Sequence, residues 1–134
     1  MTRWVVVGAG TAGCVVTALL SARPDAEVVL IESGTATSTP PLSVFDALAV
    51  PGRLVDGPVL RGQGLGGSSA VNGMIAVLAA GESGPDVALP RATATDDELG
   101  PIDRALLVAA PGAVRVPLAM RGGRRVTTAD SYLY

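Results

Sequence analysis

Val5-Val6-Val7-Gly8-Ala9-Gly10-Thr11-Ala12-Gly13 joins a β-branched run to a helix-forming run through glycines spaced G-x-G-x-x-G. This stretch decides the fold, because the residues on its two sides favour different structures. Arg3 to Val7 has the character of a short buried strand bounded by glycine. Thr11 to Ala22 reads as a helix with Val15, Val16, Leu19 and Leu20 to one side, ending before Pro24, which cannot continue it. Glu27 to Glu32 reads as a second strand. Its Val28-Val29-Leu30-Ile31 is apolar throughout, as a parallel strand covered on both faces requires. Strand, helix and strand within about 30 residues predict a right-handed βαβ crossover.

Glycines in this pattern also occur in ordinary strand-to-helix turns, so context carries the argument. Here a strand precedes them, a helix follows, and an acid closes the second strand, which together predict a dinucleotide site. Gly8 is expected to make the tight turn and Gly10 to let the backbone approach a pyrophosphate. Gly13 would let the helix pack close to the strand. The N–H groups and the positive end of the helix dipole then face the phosphates. Glu32, 19 residues after Gly13, is placed to accept hydrogen bonds from both ribose hydroxyls. A carboxylate there repels a 2′-phosphate and argues against NADP. On these residues alone NAD and FAD are both admissible.

The chain has 134 residues, 49% of them hydrophobic and 16% charged, with a net charge of −2. That fits one domain with enough apolar material for a core. The slightly acidic balance gives no footprint for nucleic acid, and no basic run suggests a membrane surface. All ten basic residues are Arg, and there is no His, so the usual general base at neutral pH is missing. Cys14, the single cysteine, cannot form an internal disulfide, which fits a reducing, cytoplasmic setting. No resolving partner exists for it, so a packing role is expected. Trp4 to Ala22 is uncharged and near the length of a membrane span or signal peptide. Gly8, Gly10 and Gly13 interrupt it, and a second apolar run ending in an acid follows at once. No transmembrane segment is therefore expected.

Beyond Glu32, Ser33 to Pro41 has loop composition, and Phe45 to Val50 reads as a short helix stopped by Pro51-Gly52. Ser68 to Leu78 reads as a helix with Val71, Ile75 and Leu78 on one face, and Gly81 to Arg91 as a loop. Ile102 to Ala110 reads as a helix led by Pro101 and by the acids Asp96-Asp97-Glu98. Val114 to Met120 and Arg125 to Thr128 look like strands around Gly122-Gly123.

The other informative run is Arg61-Gly62-Gln63-Gly64-Leu65-Gly66-Gly67-Ser68-Ser69-Ala70-Val71-Asn72-Gly73-Met74. Such a loop can lay backbone N–H groups against a phosphate or a flavin edge. Composition alone fits another tight helix entry equally well. The run resembles the signature R-G-x-x-L-G-G-S-S-x-x-N-x-M of the glucose-methanol-choline (GMC) oxidoreductases, FAD enzymes that oxidise alcohols. Gly123 to Leu133 resembles that family's G-x-R-x-x-[ST]-x-A-x-x-Y-L segment. Asp97-Glu98-Leu99-Gly100-Pro101 resembles its actinobacterial branch linked to the peptide-derived cofactor mycofactocin.

The resemblance implies an α/β, Rossmann-like FAD/NAD(P)-binding βαβ fold, incomplete relative to full-length family members. Residues 1–134 would form an N-terminal FAD-binding domain, and 83–134 would include the start of the substrate or cap region. Gly8, Gly10, Thr11, Ala12 and Gly13 would meet the pyrophosphate, and Glu32 the adenosine ribose. Arg61, Gly66, Gly67 and Ser68 would line the middle of FAD. Asn72, Gly73, Met74 and Ile75 would run beside the isoalloxazine ring. Some relatives attach FAD through a His in the signature; Val71 matches that position here, so binding would be non-covalent. A small-molecule alcohol would lose a hydride to flavin N5.

Several features depart from the family. The spacing from Glu32 to Arg61 is short, aromatic residues are few, and family members run to several hundred residues. Their catalytic His lies near the C-terminus, so no catalytic residue is assigned here. The expectation is an N-terminal portion that binds FAD weakly or not at all by itself and shows no alcohol-dependent flavin reduction. Two rival expectations remain. One is a non-catalytic nucleotide-binding module, or a subunit completed in trans by a C-terminal half. The other is a small NAD-dependent reductase, in which the Arg61 to Met74 run has no role.

Overall fold

A computed structural model describes residues 1–35, 41, 43–76 and 89–133. Strand β1 (Thr2–Val7) leads into helix α1 (Thr11–Ser21), which returns to strand β2 (Ala26–Ile31). The strands pair in parallel, Thr2 opposite Ala26 through Val7 opposite Ile31. This is the βαβ unit the sequence predicts, with bounds shifted by a residue or so. Helix α2 (Val44–Ala49) starts at Ser43, whose hydroxyl accepts the N–H groups of Phe45 and Asp46. Strands β3 (Leu54–Val55) and β4 (Arg61–Gly62) pair antiparallel. A 3₁₀ turn follows at Gly67–Ala70, then helix α3 (Pro101–Ala109). Strands β5 (Met120–Arg121) and β6 (Arg124–Arg125) form a hairpin over Gly122-Gly123, and helix α4 (Thr128–Tyr132) closes the described chain.

The core lies where α1 meets α4. Ala9, Cys14 and Ala129 are buried together, with Leu30, Leu65, Tyr132 and Leu133 packed around them. One expectation fails here. The sheet is not covered on both faces among the described residues. Register and the two-residue period put Val5, Val7, Val29 and Ile31 on one side. All four are exposed, Val7 by 81% and Ile31 by 50%. The sheet has two strands and α1 packs on one side of it, so the apolar alternation of β2 is satisfied on that side only.

The expected helix over Ser68 to Leu78 is also absent across its described part. After the 3₁₀ turn, Val71 has φ −126° and Met74 has φ +64°. Asn72 turns its side-chain carbonyl back onto the Met74 N–H at 3.0 Å, the local competition that makes Asn a poor helix former. Ile75 then forms an isolated bridge with Leu118. Leu78 and most of the Gly81 to Arg91 loop fall outside the described residues. The expected strand from Val114 shrinks to β5, with Leu118 bridging Ile75 and Ala92. Thr128 begins a helix instead of ending a strand, because Thr127 and Asp130 form a capping box ahead of it. Among the described residues no helix is long and apolar enough to cross a membrane, and no group of side chains could hold a metal ion.

Candidate functional site

The first glycine loop is anchored where Gly8, at φ +95°, donates its N–H to the Ile31 carbonyl at 2.7 Å. Gly10 is the N-cap of α1 and offers no side chain to its open N–H groups, and the first turn carries no acid. The leading N–H groups of a helix have no partner inside it, and the dipole there is positive. The end of α1 is therefore suited to an anion. Thr11 and Ala12 are exposed beside it. Space is open for 4 Å around the Cβ position at Gly10. At Gly13 the reverse holds, since a Cβ would collide with the Gly8 carbonyl. The helix packs that closely on the turn, as expected.

Glu32 sits just beyond β2, where the sequence places it, but its carboxylate faces protein. One oxygen accepts the Ala9 N–H at 2.6 Å; the other accepts those of Gly34 at 2.9 Å and Gly64 at 3.0 Å. Burial pushes its pKa up, yet the N–H groups of Ala9, Gly34, Gly64 and Ser33 outweigh that and hold the carboxyl below its usual value. Two carboxylate oxygens offer about four acceptor positions. Among the described residues, the hydrogen bonds from Ala9, Gly34 and Gly64 take three of them, with the Ser33 N–H nearby.

The second glycine loop docks on the first. Gly66 donates its N–H to the Ala9 carbonyl at 2.8 Å. Gly67, at φ +51°, lies so close that a Cβ would stand 2.8 Å from the Gly10 Cα, so only glycine fits. Ser68 accepts the Gly62 N–H at 3.2 Å, bracing the loop across its base. Arg61 is exposed on β4. The structure thus gathers Gly8, Gly10, Gly13, Glu32, Gly66 and Gly67 into one cluster. Asn72, Gly73 and Ile75 are exposed and Met74 is half-buried on the strand of chain leaving it.

Ser69, Arg125, Thr127 and Thr128 support the site without being singled out as site residues in the sequence, and Cys14, expected to pack, supports it too. Ser69 donates to the Gly66 carbonyl at 2.6 Å and pairs with the Thr128 hydroxyl at 2.9 Å. The Cys14 thiol donates to the Ala9 carbonyl at 3.1 Å, and burial pushes its pKa up. Arg125, buried, reaches the Pro41, Ser43, Ala70 and Asn72 carbonyls. A partial signal existed for Thr127 and Thr128, because Thr127 with Asp130 has capping-box spacing. The others make contacts set by distant parts of the chain.

No protein-family model matches the chain. An uncharacterised GMC-type oxidoreductase of Rhodococcus erythropolis is 42% identical over 89 aligned positions, covering 52% of this chain and 18% of that protein. The oxygen-dependent choline dehydrogenase of Vibrio vulnificus is 34% identical over 93 positions, covering 55% of this chain and 16% of that protein. The chain thus spans less than a fifth of the length of either relative. Among solved structures, pyridoxine 4-oxidase from Mesorbium loti superposes with a TM-score of 0.72 at 24% identity, over 100% of this chain and 40% of that one. That likeness establishes the α/β, Rossmann-like fold. By sequence the chain is related to the GMC-type oxidoreductases, matched over about half of its own length.

Proposed function

We propose that the chain forms the FAD-binding part of a GMC-type flavin-dependent oxidoreductase that oxidises small alcohols. The observation that carries this reading is the docking of the two glycine loops, Gly66 N–H to Ala9 carbonyl with Gly67 against Gly10. An NAD site needs only the first loop, whereas a cofactor with a second, flavin half gives the second loop a purpose. Gly10, Thr11, Ala12 and the open end of α1 would hold the pyrophosphate. Glu32 would offer its remaining acceptor position to the adenosine ribose while fixing both loops. Arg61, Gly66, Gly67 and Ser68 would line the middle of the cofactor, and Asn72 to Ile75 would run beside the ring. Held by these residues, FAD would supply the hydride acceptor for oxidation of the alcohol carbon.

These residues bind and orient; none of them is a histidine that could take the hydroxyl proton. With Val71 at the position that some relatives use for attachment, the flavin would be held without a covalent bond. Titration of the purified chain with FAD, ADP and NAD, read by calorimetry and flavin fluorescence, tests the assignment. FAD is expected to bind weakly and more tightly than either ADP or NAD, with no bleaching of the flavin on adding alcohols. NAD binding tighter than FAD, or no FAD binding up to its solubility, would overturn it.

A further inference from the structure

Arg125 is 6% exposed, and among the described residues it has no carboxylate partner. Its guanidinium instead meets four main-chain carbonyls from two separate segments. One terminal nitrogen donates to Pro41 at 3.3 Å and Ser43 at 3.4 Å; the other donates to Ala70 at 3.2 Å and Asn72 at 3.1 Å. Its Nε has no hydrogen-bond partner among the described residues. Burying a cation without a counter-ion is costly, and burial alone pulls its pKa down. A fixed fork of donors reaching several carbonyls is a task for arginine that a single ammonium cannot reproduce.

The carbonyls it takes are informative. In an α-helix Ala70 would accept the Met74 N–H and Asn72 the Ala76 N–H. Here Met74 donates to the Asn72 side chain and Ala76 to the Pro117 carbonyl. Arg125 occupies the acceptors that a continuing helix would need. The apolar spacing of Val71, Ile75 and Leu78 favours that helix, and the fold does not form it across the described residues up to Ala76.

We propose that Arg125 is a positioning residue that holds residues 70–74 in an open, non-helical course and so presents Asn72 to Ile75 to the cofactor ring. The proposal rests on the FAD reading for its purpose but not for its mechanics. Its test uses the full chain and the variants Arg125→Met and Arg125→Lys. Without ligand, amide hydrogen exchange should rise about tenfold at residues 70–76 in both variants, with residues 1–31 unchanged, by the scale on which tenfold is 1.4 kcal/mol. FAD affinity should fall about tenfold while ADP affinity stays within about twofold, because ADP lacks the ring half.

Exchange unchanged at 70–76, or raised equally over 1–31, would overturn the proposal. An unaltered FAD-to-ADP ratio would overturn it too, leaving the FAD reading intact. If the wild-type chain bound neither nucleotide, the FAD reading would fall and the exchange result would still decide what Arg125 does. Should Arg125→Met fail to fold, Arg125→Lys carries the test, since it keeps the charge and loses the fork.

Discussion

Glu32 does two jobs that the sequence shows as one. Its place at the end of β2 is legible from the acid closing an apolar run, and so is its suitability for a ribose. Its bonds to Gly34 and Gly64 are not, because Gly64 lies 32 residues on and is brought near only by the fold. Glu32 cross-links the two glycine loops in this structure, through the Ala9 and Gly64 N–H groups. Replacing it with Gln leaves at least one backbone N–H facing an amide NH₂, at a cost of about 1–3 kcal/mol in denaturant unfolding. The pH dependence has a definite sign. The folded carboxyl titrates below its ordinary value of 4.5, so its contribution is complete above that value and disappears as the pH falls through the folded pKa. Wild-type stability should decline on acidification below about pH 4.5 more steeply than that of Glu32→Gln. Parallel pH profiles for the two proteins would show that the carboxylate is not the linked group.

At the scale of elements, β1, α1, β2, α2 and α3 were readable because local pattern and fold agree there. Apolar periodicity set the type, while glycine and proline set the ends. The described part of Ser68 to Leu78 is not the expected helix, because its spacing is helical while the Ala70 and Asn72 carbonyls are claimed by Arg125, some 55 residues downstream of Ala70. The pair β3–β4, two residues per strand, carries too little alternation to be seen in sequence, whereas β5–β6 was legible as strands around Gly122-Gly123 but is much shorter than the pattern suggested. Helix α4 is a different kind of miss. Thr127 accepts the Asp130 N–H at 3.2 Å and donates to its carboxylate at 2.7 Å, and Asp130 accepts the Thr127 N–H at 2.8 Å. That box is written in the sequence, but a strand reading of Arg125 to Thr128 overran it. Thr127 also packs on Gly66, so the cap of α4 supports the second glycine loop. Thr127→Ala should therefore cost about 1–2 kcal/mol in thermal or denaturant unfolding. Thr127→Ser, which keeps the hydroxyl, should recover most of that. Equal losses in the two variants would assign the effect to the methyl group and not to the cap.

At the scale of the molecule, the described residues form a small core and leave one apolar face of the β1–β2 sheet exposed. Among the described residues the buried hydrophobic ones are Ala9, Cys14, Ala47, Ala70, Val126 and Ala129, none of them large. The valines and isoleucine that composition suggested for a core lie instead on the outer face of the β1–β2 sheet. Stability must then come disproportionately from the polar stitching at the loops, through Glu32, Ser69, Arg125 and Thr127, and less from burial. This division can be measured. Val29→Thr and Ile31→Thr keep the β-branch that suits a strand while adding a hydroxyl that only a buried site would penalise. Because both residues are exposed, each change should alter unfolding free energy by no more than about 0.5 kcal/mol, as surface substitutions do. The double variant should also bind less of an apolar dye such as ANS, since the exposed patch that attracts it has been made polar. Losses above about 1 kcal/mol for either single change would mean that this face is covered in solution, and that the sheet's apolar side contributes to stability after all.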